Sequence, residues 1–274
     1  MIPFSCLWLG DPGAERRFEA ACARRLFRPF DLVARGVAAA ALLTALLSGW
    51  LGPAASNWRT TALAAASALT EILWMALNAD SNVQARTALT AIRRATISLA
   101  LLTSDSPQLE ASPEAYAFAL WLAIASGLGS LIIPGMIAPM LTKHQLPAAV
   151  AQAGVLLALR LPEASCAQAA GTAEGAALST WAWRWLDSLF TGGVGGRQEP
   201  RAVDACRQVV VVTYAVVGVW VPCYAAWVRE YNARSEFVGA GPAARRKLTW
   251  RLMCAHNVVG AVAVACLWLL LYPV

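Results

Sequence analysis

Apolar runs of about twenty residues recur along the chain, and no other feature of the sequence restricts its fold as strongly. A helix needs about 20 residues, at 1.5 Å per residue, to cross about 30 Å of hydrocarbon. Five runs approach or exceed this length, and a shorter sixth run follows the third. In chain order the six runs are Phe30 to Leu51, Trp58 to Leu77, Ala115 to Leu141, Leu146 to Leu161, Arg207 to Val228 and Leu252 to Tyr272. The sequence therefore predicts an all-α fold, a polytopic bundle of transmembrane helices.

The composition agrees with a chain that lies in lipid. Hydrophobic residues make up 58% and charged residues 14%, whereas a soluble domain is about a quarter charged. The net charge of +6 comes from Lys and Arg in short clusters beside the apolar runs, not from an extended basic face, so nucleic acid is not an expected partner. Membrane lipid is the expected partner, and a second copy of the chain or other membrane subunits are further candidates.

The segment from Ala88 to Ser104 decides the number of spans, because Arg93 and Arg94 load one half of it. If it crosses, seven spans place the N-terminus in the cytoplasm and the C-terminus on the opposite side. If it lies at the interface, the bundle has six spans and the basic cluster from Arg229 to Arg251 moves outside while the N-terminal cluster stays inside, against the positive-inside rule. We therefore predict seven spans.

The seven-span arrangement gives a clear asymmetry in the 22 Lys and Arg residues of the chain. The inner segments then hold Arg16, Arg17, Arg24, Arg25, Arg28, Arg35, Arg86, Lys143, Arg229, Arg234, Arg245, Arg246, Lys247 and Arg251. The outer segments hold Arg59, Arg184, Arg197 and Arg201.

Two regions outside the runs have their own character. Residues 1–29 predict a basic amphipathic lead-in, either on the cytoplasmic headgroups or in solvent, before a single bundle over residues 30–274. Residues 162–206 predict an outer loop with an interfacial helix, because three Trp residues lie between Leu178 and Phe190 and Trp prefers the membrane interface. Cys166 and Cys206 bracket this loop and could form a disulfide in an oxidising compartment. The spacing of the other cysteines predicts no metal site.

Glu71 is the most informative single residue, because a carboxylate inside an apolar run is rare unless it is paired, neutralised or facing water. It lies six residues from Leu77 at the inner end of its run. Arg93 and Arg94 lie five and six residues from Ala88 at the inner end of the next one. The equal depth predicts an ion pair between Glu71 and one of these arginines. In the alternative, the arginines extend to the inner headgroups and Glu71 is protonated or faces a water pocket.

His256 and Asn257 start the last run at a similar depth, four and five residues after Leu252. Together with Glu71, Arg93 and Arg94 they predict an intramembrane polar layer near the cytoplasmic third of the bundle. Such layers mark ion or proton paths in transporters, and they also hold helices together by hydrogen bonds. Both roles stay open on the sequence alone.

Pro134, Gly135 and Pro139 are candidate helix breaks in the third run. Proline removes a backbone donor and opens an intrahelical hydrogen bond, and discontinuous helices of this kind line many transporter sites. Helices that are kinked for structural reasons alone are an alternative interpretation.

The sequence does not indicate an enzyme. Ser126-Gly127 and His256 resemble fragments of the rhomboid intramembrane proteases, but Ile124 stands where that family has a glycine. No catalytic residue, metal site or cofactor is predicted. Two functions remain, a transporter or channel for small solutes, ions or protons that works through the polar layer, and a non-catalytic scaffold, subunit or sensor module of a larger membrane assembly.

Overall fold

The computed structural model describes residues 11–22, 27–33, 35–36, 39–40, 43, 58–77, 83–103, 115–192, 198–238 and 248–271. Every regular element within these ranges is helical, which confirms the predicted all-α fold for this part of the chain. The elements are α1 (Pro12–Cys22), α2 (Trp58–Ala76), α3 (Val83–Thr103), α4 (Ala115–Ala125), α5 (Leu128–Ile137), α6 (Thr142–Ala158), α7 (Leu161–Ala170), α8 (Ala173–Thr191), α9 (Ala202–Thr213), a π-helical segment (Tyr214–Trp220), α10 (Val221–Val238) and α11 (Trp250–Leu271). Residues 27–33 and 35–36 are also helical.

The chain divides into two compact units. The first comprises Met1–Ser104, Ile133–Ala148 and Cys223–Leu248, and the second comprises Asp105–Ile132, Ala149–Pro222 and Thr249–Val274. The boundary that the sequence suggested between residues 29 and 30 therefore falls inside the first unit.

Helix α1 begins the first unit and shows a clear start signal. Asp11 accepts hydrogen bonds from the backbone N–H groups of Gly13 and Ala14, both at 2.9 Å, and Pro12 takes the first helical position. These bonds hold the pKa of Asp11 below its usual value. Phe18 and Cys22 of α1 are buried in a core with Phe27 and Leu141. Protein therefore covers the apolar side of this basic lead-in.

Helices α2 and α3 pack together in the same unit. Trp74 and Leu89 form the buried core between them, with Leu73 and Ala85 packed beside it. Leu69, Ile72 and Met75, spaced three residues apart on α2, are exposed. The exposed stripe of α2 is therefore apolar.

The second unit includes α4, α7, α8, α9, the π-helical segment and α11. Helix α9 packs against α7 and α8, and a disulfide joins Cys166 of α7 to Cys206 of α9 with a Cα–Cα distance of 5.5 Å. Trp183 of α8 is buried with Trp268 of α11, and the indole Nε1 of Trp268 donates to Asp187 at 3.1 Å.

The tryptophan-rich segment from Leu178 to Phe190 lies within α8. Thr172 caps the start of this helix by accepting a hydrogen bond from the Gly175 N–H at 3.1 Å, and Gly192 ends it at a φ of 66°. Trp181 and Trp185 are exposed while Trp183 is buried. Trp prefers the membrane interface, and the position of this helix at an interface stays a prediction.

In the part of the chain that the structure describes, two helices are long and apolar enough to cross a membrane, Ala202–Phe237 and Trp250–Leu270. A third span is available if the pair Ala115–Ala125 and Leu128–Met136, bent by 80°, is counted as one. These helices indicate membrane association. Residues 34, 37–38, 41–42 and 44–51 of the first predicted span lie outside the described residues.

The bend in this helix pair lies at Ser126 and Gly127, where Gly127 adopts a φ of 81°. A positive φ favours glycine, so the break has a local cause. Pro134 and Gly135, two of the three candidate breaks, lie inside α5, and the helix ends two residues before Pro139.

A side chain explains why α5 continues through Pro134. The proline has no N–H to donate to the Ser130 carbonyl four residues earlier. The Gln152 side-chain amide of α6 donates to that carbonyl instead. The freed acceptor is thus satisfied from outside the helix.

Candidate functional site

A cluster of ionised side chains in the first unit begins with Glu71 and Arg93. Helices α2 and α3 are joined by a short connection and pack against each other, which brings the two side chains together. The Arg93 Nη2 donates to the Glu71 Oε1, and the guanidinium lies over the ring of Trp74 at 4.6 Å from its centroid. Trp74 is three residues after Glu71, so ion pair and cation–π contact share one face of α2.

A second arginine reaches the same carboxylate. The Arg35 Nε lies 3.4 Å from the Glu71 Oε2, and its guanidinium also lies near the Trp74 ring, at 5.2 Å from the centroid. Glu71 therefore lies between two cations, one on each oxygen. Its side chain is 27% exposed, while that of Arg93 is 3% exposed.

Arg94 points elsewhere, because neighbouring residues on a helix project about 100° apart. Its Nη1 donates to the Gln145 Oε1 of α6 at 2.8 Å. The same oxygen accepts from the backbone N–H of Met140 at 3.3 Å. Of the two arginines that the sequence offered as partners of Glu71, Arg93 lies against it and Arg94 lies against a neutral amide.

The structure also contains an ion pair that the sequence analysis did not identify. Arg86 donates from Nε and Nη2 to the two oxygens of Asp31, at 3.0 and 2.9 Å. Both side chains are buried, and the guanidinium lies 4.2 Å from the Phe27 ring centroid. A signal existed, because Asp31 and Arg86 each stand near the predicted inner end of a span.

A further missed group lies around Arg234 of α10. Its Nη1 and Nη2 donate to Glu15 of α1 at 2.7 and 2.5 Å, and its Nε donates to Glu230 at 2.9 Å. Glu19 of α1 pairs with Lys143. The spacing of four residues between Glu230 and Arg234 was the available signal. The acidic residues Glu15 and Glu19 of α1 thus bind within the unit.

His256 and Asn257 belong to the second unit. His256 is buried. Asn257 donates to the Met253 carbonyl at 2.8 Å and accepts from the Trp220 Nε1 at 3.4 Å. It also lines a mainly apolar cavity of about 410 Å³ with Trp185 and Trp220. The layer that would join this pair to Glu71, Arg93 and Arg94 stays a prediction.

Comparison with known protein families, characterised proteins and solved structures gives no match to this chain. The chemistry of the ionised cluster is therefore the basis for an assignment of function.

Proposed function

We propose that the chain is a multi-pass membrane transporter of small charged solutes, with Glu71, Arg35 and Arg93 at its centre. The observation that carries the proposal is the position of the Glu71 carboxylate between two guanidinium groups, while its side chain is 27% exposed. A carboxylate held in this way can give up one cation and keep the other. When Arg35 moves away, a cationic solute can pair with Glu71, or an anionic solute can pair with the released Arg35, so no separated charge is left without a partner.

The energetics favour an exchange of this kind. Separating an ion pair in a low-dielectric site is strongly unfavourable unless another charge replaces the lost partner. Arg93 is buried against Trp74, whereas Arg35 is 31% exposed. Arg35 is therefore the partner that moves, and Arg93 holds the carboxylate in place.

The proposed topology has seven spans, with the N-terminus in the cytoplasm and the C-terminus outside. Helices α2 and α3 carry Glu71, Arg86, Arg93 and Arg94, and contacts with side chains of the same unit offset most of this charge. They have 19 and 21 residues, about the length of a span. Reporter tags before Pro3 and after Val274 should appear on opposite sides of the membrane. Tags on the same side would refute seven spans.

The transport proposal is tested by measuring electrical currents. The purified full chain is reconstituted into liposomes, and the liposomes are adsorbed to a solid support. Concentration jumps of sodium salts of succinate, phosphate and glutamate, and of lysine hydrochloride, should give a current with at least one solute. Glu71→Gln should abolish that current. Glu163→Gln is the matched control, because Glu163 is 48% exposed and pairs with Arg160 and Arg207 in the second unit.

A scaffold or subunit role is the second candidate, and one observation favours it. Arg93 and Trp74 are both buried and in contact, as in a centre that is packed for stability. A folded protein that gives no current with any of the four solutes would support the scaffold and contradict the transporter.

A further inference from the structure

Arg94 is a buried charge whose polar contact is a neutral group. The residue is 4% exposed, and its hydrogen bond goes to the amide of Gln145. Within the described ranges, its Nε is buried without a hydrogen-bond partner, and no carboxylate forms an ion pair with Arg94. A guanidinium keeps its proton in proteins, and an uncompensated buried charge is strongly destabilising.

Three more polar atoms in the same state belong to this region. The hydroxyls of Thr90 and Thr142 and the Nε2 of Gln145 are buried, and none of them has a hydrogen-bond partner among the residues that the structure describes. Thr90 and Arg94 are four residues apart on α3, and Thr142 and Gln145 are three apart on α6, so each pair shares a helix face. The 2.8 Å bond between Arg94 and Gln145 joins the two faces.

Two acidic residues of the unit, Glu71 and Glu230, are engaged with other cations. Glu230 accepts a hydrogen bond from the backbone N–H of Thr142 at 2.7 Å, and it pairs at 2.8 Å with Arg234, a cation that it shares with Glu15. Glu71 is held by Arg93 and Arg35. Buried polar groups normally have hydrogen-bond partners. The side chains of Thr90, Arg94, Thr142 and Gln145 therefore form a group of unused donors that carries one positive charge.

We infer that Thr90, Arg94, Thr142 and Gln145 form a binding site for an oxyanion, a carboxylate or phosphate. Guanidinium, amide and hydroxyl N–H and O–H groups all donate to oxyanion oxygens, and the planar fork of arginine matches them best. Water would fill the hydrogen bonds but would leave the charge unmatched. The inference names the substrate class of the transporter and rests on the proposed function for that role, while binding itself is measured independently.

The test is the thermal unfolding of the full chain in uncharged detergent, with sodium succinate or phosphate added at constant ionic strength. Sodium chloride is the reference salt. Binding to the folded state raises Tm by about 5 °C or more when the anion is present at about 100 times its Kd. Arg94→Met should remove this rise. Arg160→Met is the control, because that arginine is 80% exposed and lies in the second unit.

Gln145→Glu is the decisive second variant, because it places a carboxylate of the same shape beside Arg94. We expect it to raise Tm without added anion and to remove the response to succinate and phosphate. The loss of the response to succinate and phosphate separates a binding site from a purely structural contact, because a new carboxylate beside Arg94 raises Tm in either case. A response that persists in both variants would overturn the site, as would the absence of any response in the unmodified protein.

The source of the oxyanion is resolved by adding phosphatidylglycerol or phosphatidylcholine in place of the soluble anion. A rise in Tm with soluble anions that is lost in Arg94→Met supports a solute site. If the Arg94-dependent rise in Tm occurs with phosphatidylglycerol and not with soluble anions, the oxyanion chemistry is supported but a soluble anion is overturned as its source. Binding of succinate without any current would refute transport and leave the site standing. Current with lysine alone would refute the oxyanion as substrate and leave transport standing.

Discussion

Replacing Glu71 by Gln should destabilise the protein, and the structure sets the scale. The glutamine keeps a carbonyl oxygen for Arg93 but removes the charge. Breaking a buried ion pair by removing one partner costs about 3–5 kcal/mol. We expect about 3 kcal/mol, the lower end, because the Glu71 side chain is 27% exposed and Arg35, which is 31% exposed, can turn towards polar surroundings. For a chain of this size the change corresponds to about 6–12 °C in Tm.

Arg93→Met should cost less on its own, about 2 kcal/mol, which includes a cation–π contact of about 0.5–2 kcal/mol with Trp74. Glu71 would keep Arg35, at 3.4 Å. In the double variant the buried Arg93 charge is removed together with Glu71, and the remaining cation, Arg35, is 31% exposed. The double variant should therefore be no less stable than Glu71→Gln alone, which gives a coupling free energy of about 2 kcal/mol.

The assay is thermal unfolding followed by tryptophan fluorescence in uncharged detergent, with the four proteins of the cycle measured side by side. Arg94→Met is the adjacent control, because Arg94 contacts Gln145 instead of Glu71. It should couple to Glu71→Gln by less than about 0.5 kcal/mol. If the two changes at Glu71 and Arg93 add within that same margin, the pair carries no specific energy and the reasoning is refuted.

Three further predictions concern other regions. Reduction of the Cys166–Cys206 disulfide, which closes a sequence separation of 40, should lower the free energy of unfolding by about 4 kcal/mol; reductant should not change the Tm of a Cys166→Ser, Cys206→Ser variant. Burial, and after it the charge of Lys143, lowers the pKa of His144, so below about pH 6.5 the unfolded chain binds more protons and stability falls with falling pH. His144→Gln should flatten the acid side of a plot of Tm against pH, and an unchanged slope would contradict the assignment. Burial raises the pKa of the Cys22 thiol to about 12, so in a variant with the other free cysteines replaced maleimide at pH 8 should label Cys22 only after unfolding.

The sequence was sufficient for the helical fold and for the contact of Glu71 with one of two neighbouring arginines. Apolar runs of span length predict helices, because a bilayer leaves the backbone no other partner. Counting residues from the inner ends brought Glu71 level with Arg93 and Arg94. The count could not choose between the two arginines, because the choice depends on the rotation of α3 about its axis. Packing of α3 against α2 and the ring of Trp74 fixes that rotation.

Contacts between residues distant in sequence were the part that could not be predicted. Asp31 and Arg86 are 55 residues apart, and Arg234 reaches Glu15 over 219 residues. Taken alone, each of these four residues is typical of the charged end of a helix. Likewise, the position of the helix break depends on Gln152, a residue of another helix, and on the backbone conformation of Gly127.

Because Gln152 donates to the Ser130 carbonyl, the order in which Gln152 and Pro134 arose during evolution matters. A proline that arises in α5 before Gln152 removes the backbone donor of the Ser130 carbonyl without the Gln152 amide in its place, whereas a glutamine that arises first removes no donor. The two positions are therefore linked by epistasis, and the permissive glutamine must precede the proline. A library that places every residue type at position 152, once in the natural background and once beside Pro134→Ala, would reveal this dependence. Substitutions of Gln152 should be tolerated beside the alanine and selected against beside the proline.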